Sequence, residues 1–482
     1  MSESKLNSDT IIRLEKAPSG VRGLDEITGG GLPKGRPTLV CGGPGCGKTV
    51  LAMEFLVHGA REFNDPGLFV SFEESPQDLM TNFNSFGLGA DELIEQKKLK
   101  LLHVAISREE IVEAGGFSLD ALTIRLEHGI QEIGARRIVL DTMETIFAVL
   151  SNSETLRSEI ARLFHWLRDR GVTAVVTGES GIKDLTRHGF EEYISDCVVV
   201  LDHRVAHQIS KRRLRVIKYR GSAHAKDEFP FIIGKKGISV FPIISVGLDN
   251  VAAEERISTG VHDMDNLLEG KGYFRGSTVL ISGNAGTGKS SLAMAFAVGA
   301  SMRGEHCIYF TFEESASQLT RNLRSIGVDI APHLKKGTLN IQASRPTFRG
   351  LEEHLVAMTA AVEEFRPACV VMDPITDFTS VGVDLEVKSM LTRGIDYFRH
   401  QGITLVLTAL TSGVTESNGE DPMISSLIDT WVSLQLRTLG NRHRREIFII
   451  KSRGMQHSSE TLEMKMSSQG LSLLSIKQDV KA

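Results

Sequence analysis

Gly42-Gly43-Pro44-Gly45-Cys46-Gly47-Lys48-Thr49 follows the apolar run Pro37-Thr38-Leu39-Val40-Cys41 and opens a helical pattern from Val50 to His58. Gly-x4-Gly-Lys-[Thr/Ser] between a strand and a helix reads as a phosphate-gripping loop. Its glycines let backbone N–H groups converge on phosphate oxygens, and the helix behind adds the positive end of its dipole. A second copy, Gly283-Asn284-Ala285-Gly286-Thr287-Gly288-Lys289-Ser290, begins 241 residues later. Gly43, Gly45, Cys46 and Gly47 in the first copy, and Gly283, Gly286, Thr287 and Gly288 in the second, are the expected loop contacts. Lys48 and Lys289 would neutralise phosphate charge, and Thr49 and Ser290 would hold Mg²⁺. An ordinary glycine turn does not explain two such octets in matching contexts.

Working outward, three more signals repeat in order. Phe72-Glu73-Glu74-Ser75 matches Phe312-Glu313-Glu314-Ser315, Ile138-Val139-Leu140-Asp141 matches Val370-Val371-Met372-Asp373, and Lys218-Tyr219-Arg220-Gly221 matches Lys451-Ser452-Arg453-Gly454. Their offsets are 240, 232 and 233 residues, a drift of the size loop insertions produce. Similar openings, Ser19-Gly20-Val21 and Ser258-Thr259-Gly260-Val261, precede each loop. The chain therefore reads as two domains, 1–247 and 248–482. Within each, short β-rich runs (Leu68–Phe72, Arg137–Leu140, Thr173–Thr177) alternate with helical spacing such as Ser153–Asp169. That alternation predicts an α/β fold with a mostly parallel, doubly wound sheet in each half.

Asp141 and Asp373 end apolar strands and fit the acidic side of a Mg²⁺ site; a lone Asp there is often a helix cap, and the repetition favours the metal. Hydrolysis also needs a group that orients or activates water. Thr142 and Pro374 follow the two aspartates, so no glutamate stands there. The candidates are Glu73, Glu74, Glu313 and Glu314, each pair at the end of the strand after the loop helix, where a doubly wound sheet meets its ligand. Capping of the next helix is the competing explanation for the pairs.

Composition narrows the class. With 482 residues, 24% charged and net charge −5, the chain has no global pull toward nucleic acid or anionic membrane. The basic run Lys211-Arg212-Arg213-Leu214-Arg215 reads as a strand edge or turn. No apolar stretch reaches about 18 residues, so no transmembrane helix is expected. Five cysteines without CxxC spacing read as reduced thiols of a cytoplasmic protein. Cys46 reads as a small side chain in its loop, in preference to a redox switch.

The two P-loops, both Phe-Glu-Glu-Ser elements, Ala114-Gly115-Gly116-Phe117 and both Lys-x-Arg-Gly segments resemble the KaiC family of clock ATPases, within the RecA superfamily. The resemblance spans almost the whole chain. It implies two tandem RecA-like P-loop NTPase domains, ATP and Mg²⁺ as cofactors, and a homo-hexamer of two stacked rings with ATP between subunits. It implies that Lys218, Arg220, Lys451 and Arg453 reach ATP across that interface, and that Val50, His224, Ser291 and His457 also contact ATP. It further implies autophosphorylation of Ser425 and Ser426, with Glu313 or Glu314 taking the hydroxyl proton; the matched first-half residues are Glu192 and Tyr193. Departures are a Ser-Ser acceptor pair, Glu420 in place of a hydroxyl residue, and a chain that ends at Ala482 soon after the last motif. The last point argues against dependence on KaiA. A KaiB-like partner for the first domain stays compatible. A nucleic-acid-dependent ATPase of the RecA or DnaB type, and a non-kinase ring held together by ATP, are the alternatives.

Overall fold

The computed structural model describes residues 14–105, 119–149, 153–181, 189, 191–206, 209–234, 237–241, 253–411, 424–439 and 441–476. Ala114–Phe117 and Glu420 lie outside them. The chain divides into two compact units, Met1–Ile243 and Ile244–Ala482.

In the first unit the sheet strands are β1 (Pro37–Gly42), β2 (Gly67–Ser71), β3 (Leu99–His103), β4 (Arg137–Asp141), β5 (Thr173–Glu179), β6 (Cys197–Ala206), β7 (Ile209–Tyr219), β8 (Phe229–Gly234) and β9 (Gly237–Val240). They lie in the order β9-β8-β7-β6-β1-β5-β4-β2-β3. From β6 to β3 every neighbour is parallel; β7, β8 and β9 extend the sheet antiparallel. The second unit repeats this arrangement. Its strands are β10 (Thr278–Gly283), β11 (Cys307–Thr311), β12 (Leu339–Ala343), β13 (Cys369–Asp373), β14 (Thr404–Leu410), β15 (Thr430–Leu439), β16 (Arg442–Ser452), β17 (Leu462–Ser467) and β18 (Gly470–Ser475). Their order is β12-β11-β13-β14-β10-β15-β16-β17-β18, the same topology.

The central parallel strands, such as β1, β2, β4 and β5, are largely apolar because helices cover both faces. In β4, Val139 packs with Val40, Phe55 and Phe69 on one side, while Ile138 and Leu140 join Leu68, Val70 and Val176 on the other. The loop helices, α1 (Lys48–Glu62) and α2 (Lys289–Met302), lie on the first of these faces in their own units. Arg137 is fully buried behind α1, donating to Asp65 and to the Phe55 carbonyl. No described helix is long and apolar enough to cross a membrane.

Candidate nucleotide sites

Each phosphate loop leaves the C-terminal end of its sheet's central strand. Gly42 and Gly283 are required there: a Cβ at either would sit 2.2 Å from a carbonyl oxygen of the next strand, Leu201 O or Leu434 O. Gly47 and Gly288 turn the chain into the helix at φ 106° and 99°, conformations that favour glycine. Gly43, Gly45 and Gly286 have open space where a side chain would be, leaving room for a ligand against the backbone. Lys48 Nζ donates to Gly42 O (2.7 Å) and Gly43 O (3.1 Å), and Lys289 Nζ to Gly283 O (2.9 Å) and Asn284 O (2.8 Å). Both ammonium groups are thus folded onto the loops they serve. Burial lowers the Lys289 pKa, with Asp373 and Glu313 opposing the shift. Val50 and Ser291 occupy the first turns of α1 and α2. Thr287 is buried, its hydroxyl donating to Asn284 O at 2.8 Å.

Cys46 is buried in the first loop, and burial raises its thiol pKa. This makes it a packed side chain with little thiolate.

The acidic strand ends meet the loops differently in the two units. Thr49 Oγ1 donates to Asp141 Oδ2 at 3.0 Å, and Thr177 donates to Oδ1. Two hard oxygen donors from different elements therefore converge, which fits Mg²⁺. In the second unit Asp373 accepts from Thr408 and, at 2.5 Å, from the Tyr309 phenol. Ser290 makes no such bond among the described residues. Burial raises the Asp141 pKa, and its hydroxyl donors and Lys48 oppose the shift.

The glutamate pairs do not cap the following helices. Ser75 and Ser315 do, accepting from Asp78 N and Gln318 N, and Ser315 completes a capping box with Gln318. Glu74 is held by Asn82 (2.8 Å) and Glu314 by Asn322 (3.2 Å), one turn inside those helices. Glu73 accepts from Thr145 Oγ1 at 3.0 Å. The residue matched to Thr145 is Asp377, and the pKa of Glu313 is raised by burial, then by Asp377 and Asp373. Glu74 is raised too, by burial and Asp141. An open cleft of about 540 Å³ lies on the helix after Glu314, lined by Ser317, Thr320, Arg321, Arg324 and Ser325.

The Lys-x-Arg clamps stand elsewhere. Lys218 donates to Glu192 O (2.7 Å) and Tyr193 O (3.1 Å), and Arg220 to Tyr193 O (2.8 Å). Lys451 donates to Ser425 O, and Arg453 to Ser426 O at 2.9 Å. In each unit the clamp is tied to the beginning of the central strand: Arg220 N bonds Asp196 O, whose N–H bonds Pro37 O, and Arg453 N bonds Asp429 O, whose N–H bonds Thr278 O. The phosphate loop begins at the strand's other end, five residues on, or about 16 Å at 3.3 Å per residue. Among the described residues the Ser425 and Ser426 hydroxyls make no hydrogen bond; Ser426 is exposed and Ser425 half-buried. His224 stacks on Tyr219, and His457 lies against Ser458 O.

Four features at the loops escaped the motif search. Arg445 Nε donates to Gly286 O at 3.2 Å. Its match, Arg212, comes from the basic run; its Nε is buried without a hydrogen-bond partner among the described residues. Thr145 with Asp377, and Tyr309, are the others. Constant offset from the Lys-x-Arg motif would have paired Arg212 with Arg445.

The two units share strand order, phosphate loop, paired glutamates and carbonyl-binding clamp, and the family model described as "ATPase: KaiC" matches residues 17–245 and again 257–478. The chain belongs to the KaiC ATPase family. It is 46% identical to the "Circadian clock protein KaiC2" of Synechocystis sp., over 97% of this chain and 83% of that one. It is 34% identical to the "Circadian clock oscillator protein KaiC" of Prochlorococcus marinus, covering 98% and 95%. The "Circadian clock protein KaiC3" of Synechocystis sp. is also 34% identical, covering 95% and 91%. As a KaiC-family ATPase the chain binds ATP through its tandem domains.

Proposed function

We propose that this KaiC-family ATPase phosphorylates itself on Ser425 and Ser426 between neighbouring copies, and so carries a phosphorylation-state signal. The observation that carries the reading is the Lys451–Ser425 and Arg453–Ser426 clamp at the beginning of the strand whose other end bears the phosphate loop. A serine held about 16 Å along the strand from its own loop is far outside the 3–3.5 Å needed for attack. The acceptor must therefore be presented to another copy's nucleotide, which supports a closed homo-oligomer, a hexamer by family resemblance. The first unit places Glu192 and Tyr193 in the same clamp and offers no aliphatic hydroxyl there.

In the reaction, the Ser hydroxyl oxygen attacks the γ-phosphorus of ATP. The bond from γ-phosphorus to the bridging oxygen breaks, ADP leaves, and the hydroxyl proton passes to Glu313. Burial, and after it the carboxylates of Asp377 and Asp373, raise the proton affinity of Glu313, which suits a base. Lys289 steadies phosphate charge, and Asn322 keeps Glu314 from folding away. Mg²⁺, held from the side of Ser290 and Asp373, would draw charge off the phosphates. In the first unit Thr145 holds Glu73 in place with a hydroxyl, an arrangement suited to orienting water. A cytoplasmic setting belongs to the same proposal, supported by five buried free thiols. The regulatory role rests on the relatives named as clock proteins.

Incubation of the purified chain with γ-labelled ATP tests the reading. Label enters the wild type and is lost from the Ser425→Ala/Ser426→Ala variant. Undiminished labelling of that variant rules out the assigned acceptor.

A further inference from the structure

Strands β2 and β11 have the same register against β4 and β13: Phe69 stands opposite Val139 as Tyr309 stands opposite Val371, and Ser71 opposite Asp141 as Thr311 opposite Asp373. Thr177 and Thr408 play the same part, each donating to Oδ1 of its aspartate. The units differ at Oδ2. Asp141 takes the loop hydroxyl of Thr49 there, whereas Asp373 takes the fully buried phenol of Tyr309. Phe69 has no hydroxyl to offer.

A hydroxyl that ligates a metal turns its lone pairs to the ion and must place its proton on another acceptor. Thr49 already has that acceptor. Ser290 has to share Asp373 Oδ2 with the phenol or displace it, and the phenol cannot turn to water because it is enclosed.

We propose that Tyr309 is a positioning residue that weakens metal binding at the second nucleotide site by occupying the Asp373 oxygen that the loop hydroxyl uses in the first. The inference rests on the Mg²⁺ sites proposed above. Its magnitude is that of one hydrogen bond from a phenol to a carboxylate, offset in part by the bond the loop hydroxyl makes in its place, about fivefold in affinity, or about 1 kcal/mol at 1.4 kcal/mol per tenfold.

Mn²⁺ is a suitable probe. Free Mn²⁺ is followed by electron paramagnetic resonance as it titrates the full chain saturated with ADP. Two classes of site are expected, and Lys289→Ala identifies the second-unit class by removing it. Tyr309→Phe should tighten that class about fivefold and leave the other unchanged. Phe69→Tyr should weaken the first-unit class by a similar factor, which keeps the proposal testable if Tyr309→Phe folds poorly. An unchanged isotherm in both variants overturns the role of Tyr309, as does a parallel shift of both classes. A chain that takes up no Mn²⁺ in any form overturns both this inference and the metal sites beneath it.

Discussion

Two glutamates at matched positions live in opposite surroundings. Glu73 receives a hydroxyl hydrogen bond from Thr145; Glu313 faces Asp377, and its proton affinity is raised. Burial is the larger cause of that rise and Asp377 adds to it, at the position where the first unit has the hydroxyl of Thr145. The two units share the frame of the phosphate loop and differ in the immediate neighbours of the paired acids.

The sharpest way to break this comparison is to remove each base separately. Glu313→Gln should lower phosphoserine formation by about 10²- to 10⁴-fold, the span of a lost general base. Glu73→Gln should lower steady ATP hydrolysis while labelling of the serines persists. Labelling and hydrolysis measured on the same samples decide it, and equal loss of both in either variant would erase the division of labour.

A second asymmetry concerns stability. Glu54, in α1, is buried and accepts from Ile238 N at 2.6 Å; the matched residue in α2 is Ala295. Burial pushes the Glu54 carboxyl up to about 8. The folded unit therefore holds a proton that the unfolded chain releases near its ordinary value of 4.5. Stability of the first unit should fall as pH rises from about 4.5 to about 8, by up to about 1.4 kcal/mol per pH unit, and level off above. Glu54→Gln keeps the acceptor and should flatten that slope; thermal melts across the range will show it. A wild-type slope retained in the variant assigns the effect elsewhere.

The smallest change expected is a shift in profile. Asp377→Thr removes a like charge from Glu313 and lowers its pKa. A base must be deprotonated to act, so the acid limb of the phosphorylation–pH curve should move to lower pH, with the plateau little altered. A limb that stays in place means that burial alone, the larger cause, governs Glu313.

Much of this frame was readable from local pattern. The octets at Gly42 and Gly283, the apolar strands and the helix at Ser153–Asp169 each follow from short-range spacing, and the parallel, two-faced sheet follows from alternation, whereas its strand order does not. What spacing could not reveal are contacts between residues far apart in sequence. Thr145 meets Glu73 across 72 residues, Tyr309 meets Asp373 across 64, and Glu54 meets Ile238 across 184. Nothing near Phe69 or Tyr309 in the sequence marks one as silent and the other as a donor. The paired acids also looked able to cap a helix, until Ser75 and Ser315 proved to take that role.

The distance between clamp and loop along one strand has a genetic meaning. A copy with glutamine at 313 keeps its serines, and a copy without serines keeps its glutamate. Under the proposed transfer between copies, the first, mixed with the second, would receive what the second gives, so two null alleles would complement each other. Damage to the serine and to the base would then behave as separate traits, although both lie within a single polypeptide.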